Sequence, residues 1–181
     1  PVPPEHTAQS YLEELCRQAA VRRYGGVTER EEARLREEFR LIEKHSLAGF
    51  LLLYHDIIQM ARQVMIELGL SNAEIPLEER PPGRGRGSSV AMVVGYLIGL
   101  SHIDPMEYDL SLDRFLQDEM PSVPDIDLDF PRDIREELIK RVHKRWGWDH
   151  AALTGMISTY KIKGAIRDLG KALGLPFQDV D

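Results

Sequence analysis

Three aspartates stand at alternate positions, Asp125, Asp127 and Asp129, in the stretch Ser122-Val-Pro-Asp-Ile-Asp-Leu-Asp-Phe130. Ile126, Leu128 and Phe130 fill the positions between and after them. Carboxylates in a row are ligands for a hard divalent cation such as Mg²⁺, which prefers oxygen donors. Strict alternation is the period of a half-buried strand, so one face packs apolar side chains and the other presents the acids. Alternate residues on a strand lie roughly 6–7 Å apart. Their charges repel, and Asp is a poor strand former. A cation shared between neighbours removes that repulsion. The same pattern also suits a solvated acidic edge strand that discourages edge-to-edge pairing.

A second stretch carries complementary chemistry. Pro81-Pro-Gly-Arg-Gly-Arg-Gly-Ser-Ser89 precedes the apolar run Val90 to Leu100. Its glycines permit positive φ and close approach of the backbone to a ligand. Ser88 and Ser89 suit the N-cap of a following helix, whose free N–H groups and positive dipole end would face the loop. Arg84 and Arg86 add fixed positive charge. The outline is that of a polyphosphate cradle, although the Gly-Lys-Ser/Thr ending of a P-loop is missing. Read alone, the loop equally suits a flexible basic linker. Together, a phosphate cradle and an acidic strand supply the parts of nucleotidyl transfer. Carboxylates hold two metal ions that serve the attacking and leaving oxygens, and the loop positions a triphosphate.

The order of further motifs resembles a known family. Gly85-Arg-Gly-Ser-Ser89, Ile103-Asp-Pro105, Asp113-Arg-Phe-Leu116, Pro124-Asp-Ile-Asp-Leu-Asp-Phe130 and Ala165-Ile-Arg-Asp-Leu-Gly170 follow one another as in bacterial family C DNA polymerases. Tyr11-Leu-Glu-Glu-Leu-Cys16 and Gly49-Phe-Leu-Leu-Leu-Tyr54 are similar to the run leading into the palm of those enzymes. The resemblance covers nearly the whole chain. It implies part of a DNA polymerase III alpha subunit or of an error-prone relative. The fold it implies is α+β and helix-rich, a polymerase-beta-like nucleotidyltransferase palm with a small sheet and packed helices. Residues 1–156 would be the first part of the palm, with a linker at about 70–87, and residues 157–181 the start of the thumb.

The resemblance also assigns roles. Asp125 and Asp127 would be catalytic and would hold two Mg²⁺ ions, with Asp129 an alternative ligand. Gly87 and Ser88 would contact the phosphates of the incoming nucleotide, with Arg86 and, more weakly, Arg84 beside them. Lys163 and Arg167 would grip a nucleic-acid backbone. The partners would be primer-template DNA and deoxynucleoside triphosphates, with a sliding clamp and other replisome subunits reached through other parts of the parent. In the family that the chain resembles, a third carboxylate comes from a palm strand after the thumb excursion. No match to it precedes Asp181, so the isolated piece is expected to be inactive; nothing in the spacing of Asp149, Asp168, Asp179 or Asp181 makes one of them a substitute. The alternatives are a template-independent nucleotidyltransferase on the same palm and a non-catalytic nucleic-acid-binding or assembly module.

Composition is compatible with this reading. The chain has 181 residues, enough to bury a real core, and an ordinary hydrophobic fraction of 43%. Its single cysteine, Cys16, excludes an internal disulfide and suits a reducing, cytoplasmic setting. It reads as a small core residue rather than a reactive thiol. No histidine and cysteine spacing suits zinc. No signal peptide and no membrane span are read, and an initial proline fits a chain cut from something larger. The net charge of −7 hides a basic third: between Arg132 and Lys171 there are ten basic and five acidic residues. A nucleic-acid backbone suits such a segment, and so do two solvated helix faces.

The positioning elements are predicted as follows. Residues 7–24 form a helix stopped by Gly25-Gly26, and Thr28-Glu-Arg-Glu31 is a capping box that opens a second helix with the stripe Leu35, Phe39 and Ile42. The Glu and Arg residues around that stripe read as a solvated face. A third helix spans Leu47 to Leu68, closed by Gly69. Within it His55 and Asp56 read as satisfied polar residues rather than as part of a site. Residues 70–83 read as a linker or insert, and 90–100 as a buried helix capped by Ser, with a strand as the alternative. A helical turn is expected near Leu112 to Leu116, where Arg114 suits a pairing within the fold rather than one with a phosphate. After the acidic strand Asp133 caps a helix with the stripe Ile134, Leu138 and Val142, ended by Gly147. A short strand over Ala151 to Ile157 and a last amphipathic helix, Tyr160 to Leu173, complete the reading.

Overall fold

The structure, a computed structural model, describes residues 2–77, 79–155, 157 and 159–176, with Arg114 described by its backbone alone. The chain divides into two compact units, Pro1–Gly147 and Trp148–Asp181.

The first unit begins with three helices, the first two opened by capping boxes. Helix α1, Ala8–Tyr24, opens on Thr7, whose hydroxyl accepts from the Ser10 N–H at 3.1 Å, and closes on Gly25 at φ 66°. Only glycine takes that left-handed conformation without strain. Helix α2, Glu29–Lys44, has the expected capping box, the Thr28 N–H donating to Glu31 Oε2 at 2.6 Å. Helix α3, Ala48–Glu67, ends before Gly69 at φ 70°. Leu12, Cys16, Leu35, Ile42, Leu51 and Ile58 from these helices share one core cluster. Cys16 is fully buried there, and burial pushes its thiol well above the ordinary range, which suits an inert core residue.

The stretch read as a linker or insert is exposed or half-buried over residues 70–76 and touches the core at its end. Leu77 joins the core, Pro81 to Gly83 are buried, and Arg62 of α3 donates to the carbonyls of Ala73 and Ile75 at 2.7 and 2.6 Å. The expected helix over 90–100 is shorter than its buried run. A 3₁₀ turn over Gly87–Ala91 leads into α4, Val93–Leu97, while all of residues 91–100 are buried. The β-branched and glycine content limits helix length. Burial comes from tertiary packing instead.

Two short strands form an antiparallel sheet: β1, Arg84–Arg86, and β2, Asp127–Asp129. A ladder of three residues a side is marginal on its own, so packing must hold it. The β2 side does this through its alternation. Ile126 is buried in the main core, Leu128 packs against it, and Phe130 packs against a second cluster of Ala61, Val64, Ile134 and Leu138. Burying a side chain of the size of Ile126 contributes about 2 kcal/mol. The β1 side is held by its glycines. The Gly85 N–H donates to Leu100 O at 2.7 Å, and a Cβ at Gly85 would stand 2.5 Å from that same oxygen. A Cβ at Gly83 would meet the Phe130 ring at 2.8 Å. Gly85→Ala is therefore expected to lower stability by about 2–3 kcal/mol, read as a lower denaturation midpoint; an unchanged midpoint would mean that β1 is free to shift.

A 3₁₀ turn at Arg132–Ile134 precedes α5, Arg135–Trp146, which ends at Gly147, φ 78°. Asp133 lies inside the turn, and no side chain caps α5, contrary to the expected cap. Its stripe is as expected, with Leu138 buried and Val142 packed beside it. In the second unit, no described residue of 151–157 is in a strand. Helix α6, Ile162–Ala172, carries the predicted apolar side, with Ile162, Ile166, Leu169 and Leu173 exposed.

Candidate functional site

The basic glycine stretch and the acidic strand, 41 residues apart from Arg86 to Asp127, are hydrogen-bonded neighbours. The register sets Arg84 opposite Asp129, Gly85 opposite Leu128 and Arg86 opposite Asp127. Residues directly opposite in an antiparallel pair share a face. Both strands alternate exposed, half-buried, exposed, so Arg84, Arg86, Asp127 and Asp129 occupy one solvent face. Asp125 is exposed two residues before Asp127 and continues the alternation. Across this face opposite charges stand beside one another, which stabilises the pairing that three aspartates alone would weaken.

The partners differ among the three acids. Asp129 Oδ2 accepts from Arg86 Nε at 2.8 Å. Asp125 and Asp127 have no ion-pair partner among the described residues. Two neighbouring exposed carboxylates with no protein cation between them fit a hard divalent ion. Among the described residues no group of three or more His, Cys, Asp or Glu side chains is arranged to hold a metal. A shared ion would therefore need a further ligand besides these two.

Behind the acids stands Tyr54 of α3, edge-on to Phe50 at 5.0 Å between ring centroids. Burial raises its hydroxyl above the ordinary range; a hydrogen bond with the Ile126 backbone acts against this, and the Asp125 and Asp127 charges add to it. Tyr54 thus abuts the acidic strand from its protein side. Its position in an apolar helix, with no polar signature of its own, gave the sequence reading no reason to select it.

After β1 the chain turns sharply. Gly87 has φ 72° and nothing within 4 Å of an added Cβ, so it alone of Gly83, Gly85 and Gly87 combines left-handed backbone with open space. Gly83 and Gly85 approach protein, not a ligand-sized opening. Ser88 is exposed, whereas Ser89 is buried and its hydroxyl donates to Arg86 O at 2.9 Å. Neither serine caps a helix, contrary to the expectation. Nor do free N–H groups of α4 face the loop. Val93 N and Val94 N donate to Glu38 Oε1 and Oε2 of α2, at 2.9 and 2.8 Å.

Glu38 is fully buried, and Arg34 Nε donates to its Oε1 at 2.8 Å. Arg34 Nη2 reaches the carbonyls of Ala91 and Leu110 at 2.8 and 3.1 Å. Burial raises the Glu38 carboxyl, while Arg34 and the two N–H groups oppose the shift. This bracket fixes the segment that follows Gly87 and Ser88. The sequence reading placed these charges on a solvated face. The available signal was that Glu38 falls on the stripe of α2, three residues from Leu35 and from Leu41.

His55 and Asp56 are occupied structurally, as expected. His55 Nδ1 bonds the Ile98 carbonyl at 3.0 Å, and Asp56 Oδ2 accepts from Arg145 Nε at 2.8 Å. Lys163 and Arg167 are exposed on α6 in the second unit. Asp179 and Asp181 lie outside the described residues, as does the Arg114 side chain.

Comparison with known proteins gives a consistent picture. Residues 10–181 match the family described as "Bacterial DNA polymerase III alpha NTPase domain". The chain is 37% identical over 176 residues to an error-prone DNA polymerase of Rhodopseudomonas palustris (strain HaA2), covering 97% of this chain and 14% of that protein. It is 38% identical over 175 residues to a DNA polymerase III subunit alpha of Halalkalibacterium halodurans, covering 96% of this chain and 14% of the relative. An error-prone DNA polymerase of Caulobacter vibrioides is 38% identical over 176 residues, at 97% and 15% coverage. The chain thus spans about one seventh of the length of these relatives. The match extends over both strands of the sheet and over α6, and on it the chain belongs to the bacterial DNA polymerase III alpha family.

Proposed function

We propose that the chain is part of a template-directed DNA polymerase that adds deoxynucleotides to a primer 3′-hydroxyl and releases pyrophosphate. The observation that carries this reading is the in-register pairing of the acidic strand with the basic glycine strand. That pairing brings the basic glycine turn beside two exposed carboxylates, which supports a reading as triphosphate cradle and metal ligands. The fold reading is a polymerase-beta-like palm over residues 1–156, followed by the start of a thumb over 157–181.

In this reading Asp125 and Asp127 would hold Mg²⁺, together with a third carboxylate outside this chain. Bound Mg²⁺ supplies charge neutralisation at the attacking and leaving oxygens. The backbone turn at Gly87, the Ser88 hydroxyl and the Arg86 guanidinium hold the triphosphate, with Arg84 at the margin. Their work is positioning: they set the α-phosphate in line with the primer hydroxyl, where little covalent chemistry remains for the protein. Apolar Ile126 and Leu128 fix the strand behind the acids, so the carboxylates are pre-oriented.

The test uses the full-length polymerase on primed templates that differ in one templating base. Incorporation is expected to follow the templating base. Addition of the same nucleotide on every template would contradict the reading and favour a template-independent nucleotidyltransferase. Lys163 and Arg167 lie one helical turn apart on α6 and form the proposed backbone contact. Replacing both by Ala is expected to reduce the slope of log K against log salt by about 1.8, from about 0.9 per phosphate on duplex DNA. An unchanged slope would remove α6 from the DNA track. Among the described residues no helix is long and apolar enough to cross a membrane.

A further inference from the structure

We propose that Asp129 is a positioning residue for Arg86 rather than a metal ligand. The acidic strand is then divided into a metal-holding pair, Asp125 and Asp127, and one member that orients a guanidinium for the triphosphate. The inference rests on the nucleotide-binding reading above.

Three carboxylates of the same type share one exposed face, yet only Asp129 has an ion-pair partner among the described residues. The contact is diagonal. The register sets Arg86 directly opposite Asp127, but its Nε bonds Asp129 Oδ2 at 2.8 Å. Pairing with Asp127 would have neutralised a ligand and excluded a cation. Pairing with Asp129 leaves Asp125 and Asp127 together and uncompensated.

The donor used is as informative as the acceptor. Arginine has five N–H donors in a rigid fork, and the Nε contact leaves the four on Nη1 and Nη2. Those suit bidentate recognition of a phosphate. The backbone of Arg86 is also fixed, because the buried Ser89 hydroxyl donates to its carbonyl at 2.9 Å. Arg86 is thus held at the main chain by Ser89 and at the side chain by Asp129, just before the open turn at Gly87. The Arg86 and Asp129 side chains are 62% and 56% exposed, so the pair adds little to stability. Its consequence lies in ligand binding.

The test is a double-mutant cycle in the full-length polymerase with Arg86→Ala, Asp129→Ala and the double variant, plus Asp129→Asn and Asp129→Glu. Each is titrated with Mn²⁺ alone, followed by its paramagnetism, and with deoxythymidine triphosphate in the presence of Mn²⁺. Asp129→Asn is expected to keep Mn²⁺ affinity within about twofold and to weaken triphosphate binding about three- to tenfold. In the Arg86→Ala background Asp129→Ala is expected to add less than about twofold, and Asp129→Glu to recover part of the loss. Loss of Mn²⁺ affinity in Asp129→Asn as large as in Asp127→Asn would overturn the proposal, because Asp129 would then be a ligand. Multiplicative losses would overturn it as well. Unchanged Mn²⁺ affinity in Asp125→Asn and Asp127→Asn together would instead remove the metal reading itself, and this inference with it.

Discussion

Asp127→Asn in the full-length polymerase is expected to lower the rate of nucleotide addition by about a thousandfold or more, a loss of at least ~4 kcal/mol of transition-state stabilisation. Asn keeps the shape of the side chain and one acceptor oxygen but removes the charge that a divalent ion requires. The same substitution leaves the fold intact. Asp127 is exposed and has no ion-pair partner among the described residues, so nothing packed depends on its charge. It stands between Asp125 and Asp129 and opposite Arg86 on one face, so removing its charge relieves repulsion from two acids and gives up attraction to one guanidinium. Without metal, the variant is therefore expected to stay within about 0.5 kcal/mol of the parent. Loss of activity without loss of stability is the signature of a residue kept for chemistry. A near-normal rate of nucleotide addition would contradict the assignment.

Glu38→Ala has the opposite signature. It lowers stability by about 3–5 kcal/mol, the range for breaking a buried ion pair by removing one partner. Glu38 is fully buried and accepts three hydrogen bonds: from Arg34 and from the N–H groups of Val93 and Val94. Alanine leaves the guanidinium without its counter-charge and two helix N-terminal donors without an acceptor. Glu38→Gln keeps an acceptor oxygen and is expected to lose less. The measurement is the urea midpoint at constant slope. A loss below about 1 kcal/mol for Glu38→Ala would show that the segment after Ser88 is held by apolar packing alone. Because Glu38 supports α4 and the turn before it, partial unfolding there is expected to weaken triphosphate binding before metal binding.

The parts of the site legible in the sequence are those with a local signal. The alternation Asp125 to Phe130 makes the buried and acidic faces legible, and the burial pattern follows it, while the strand itself is only its central part, Asp127–Asp129. Thr28 and Glu31 gave the start of α2, and Gly25 and Gly69 the ends of α1 and α3. The pairing of Arg84–Arg86 with Asp127–Asp129 had no such signal. Arg-Gly-Arg lacks β-branched or aromatic residues, and its glycine density reads as a loop. It becomes a strand because Gly83 and Gly85 allow approach to Phe130 and to the Leu100 carbonyl, a long-range fit. Ser89 matched an N-cap by type, but its hydroxyl goes to the Arg86 carbonyl, and Glu38 from another helix takes the N–H groups of α4. Local rules name donors and acceptors; which of them meet is set by packing.

The central claim is that this two-stranded face binds a nucleotide through metal held by Asp125 and Asp127. Mn²⁺-dependent binding of a deoxynucleoside triphosphate to the chain, compared with an Asp125→Asn/Asp127→Asn variant of equal folded content, tests it most directly. The account predicts binding by the parent that requires Mn²⁺ and is lost in the variant. Equal binding by both proteins would contradict it and would make the acidic strand a solvated edge, with the nucleic-acid-binding module as the better description.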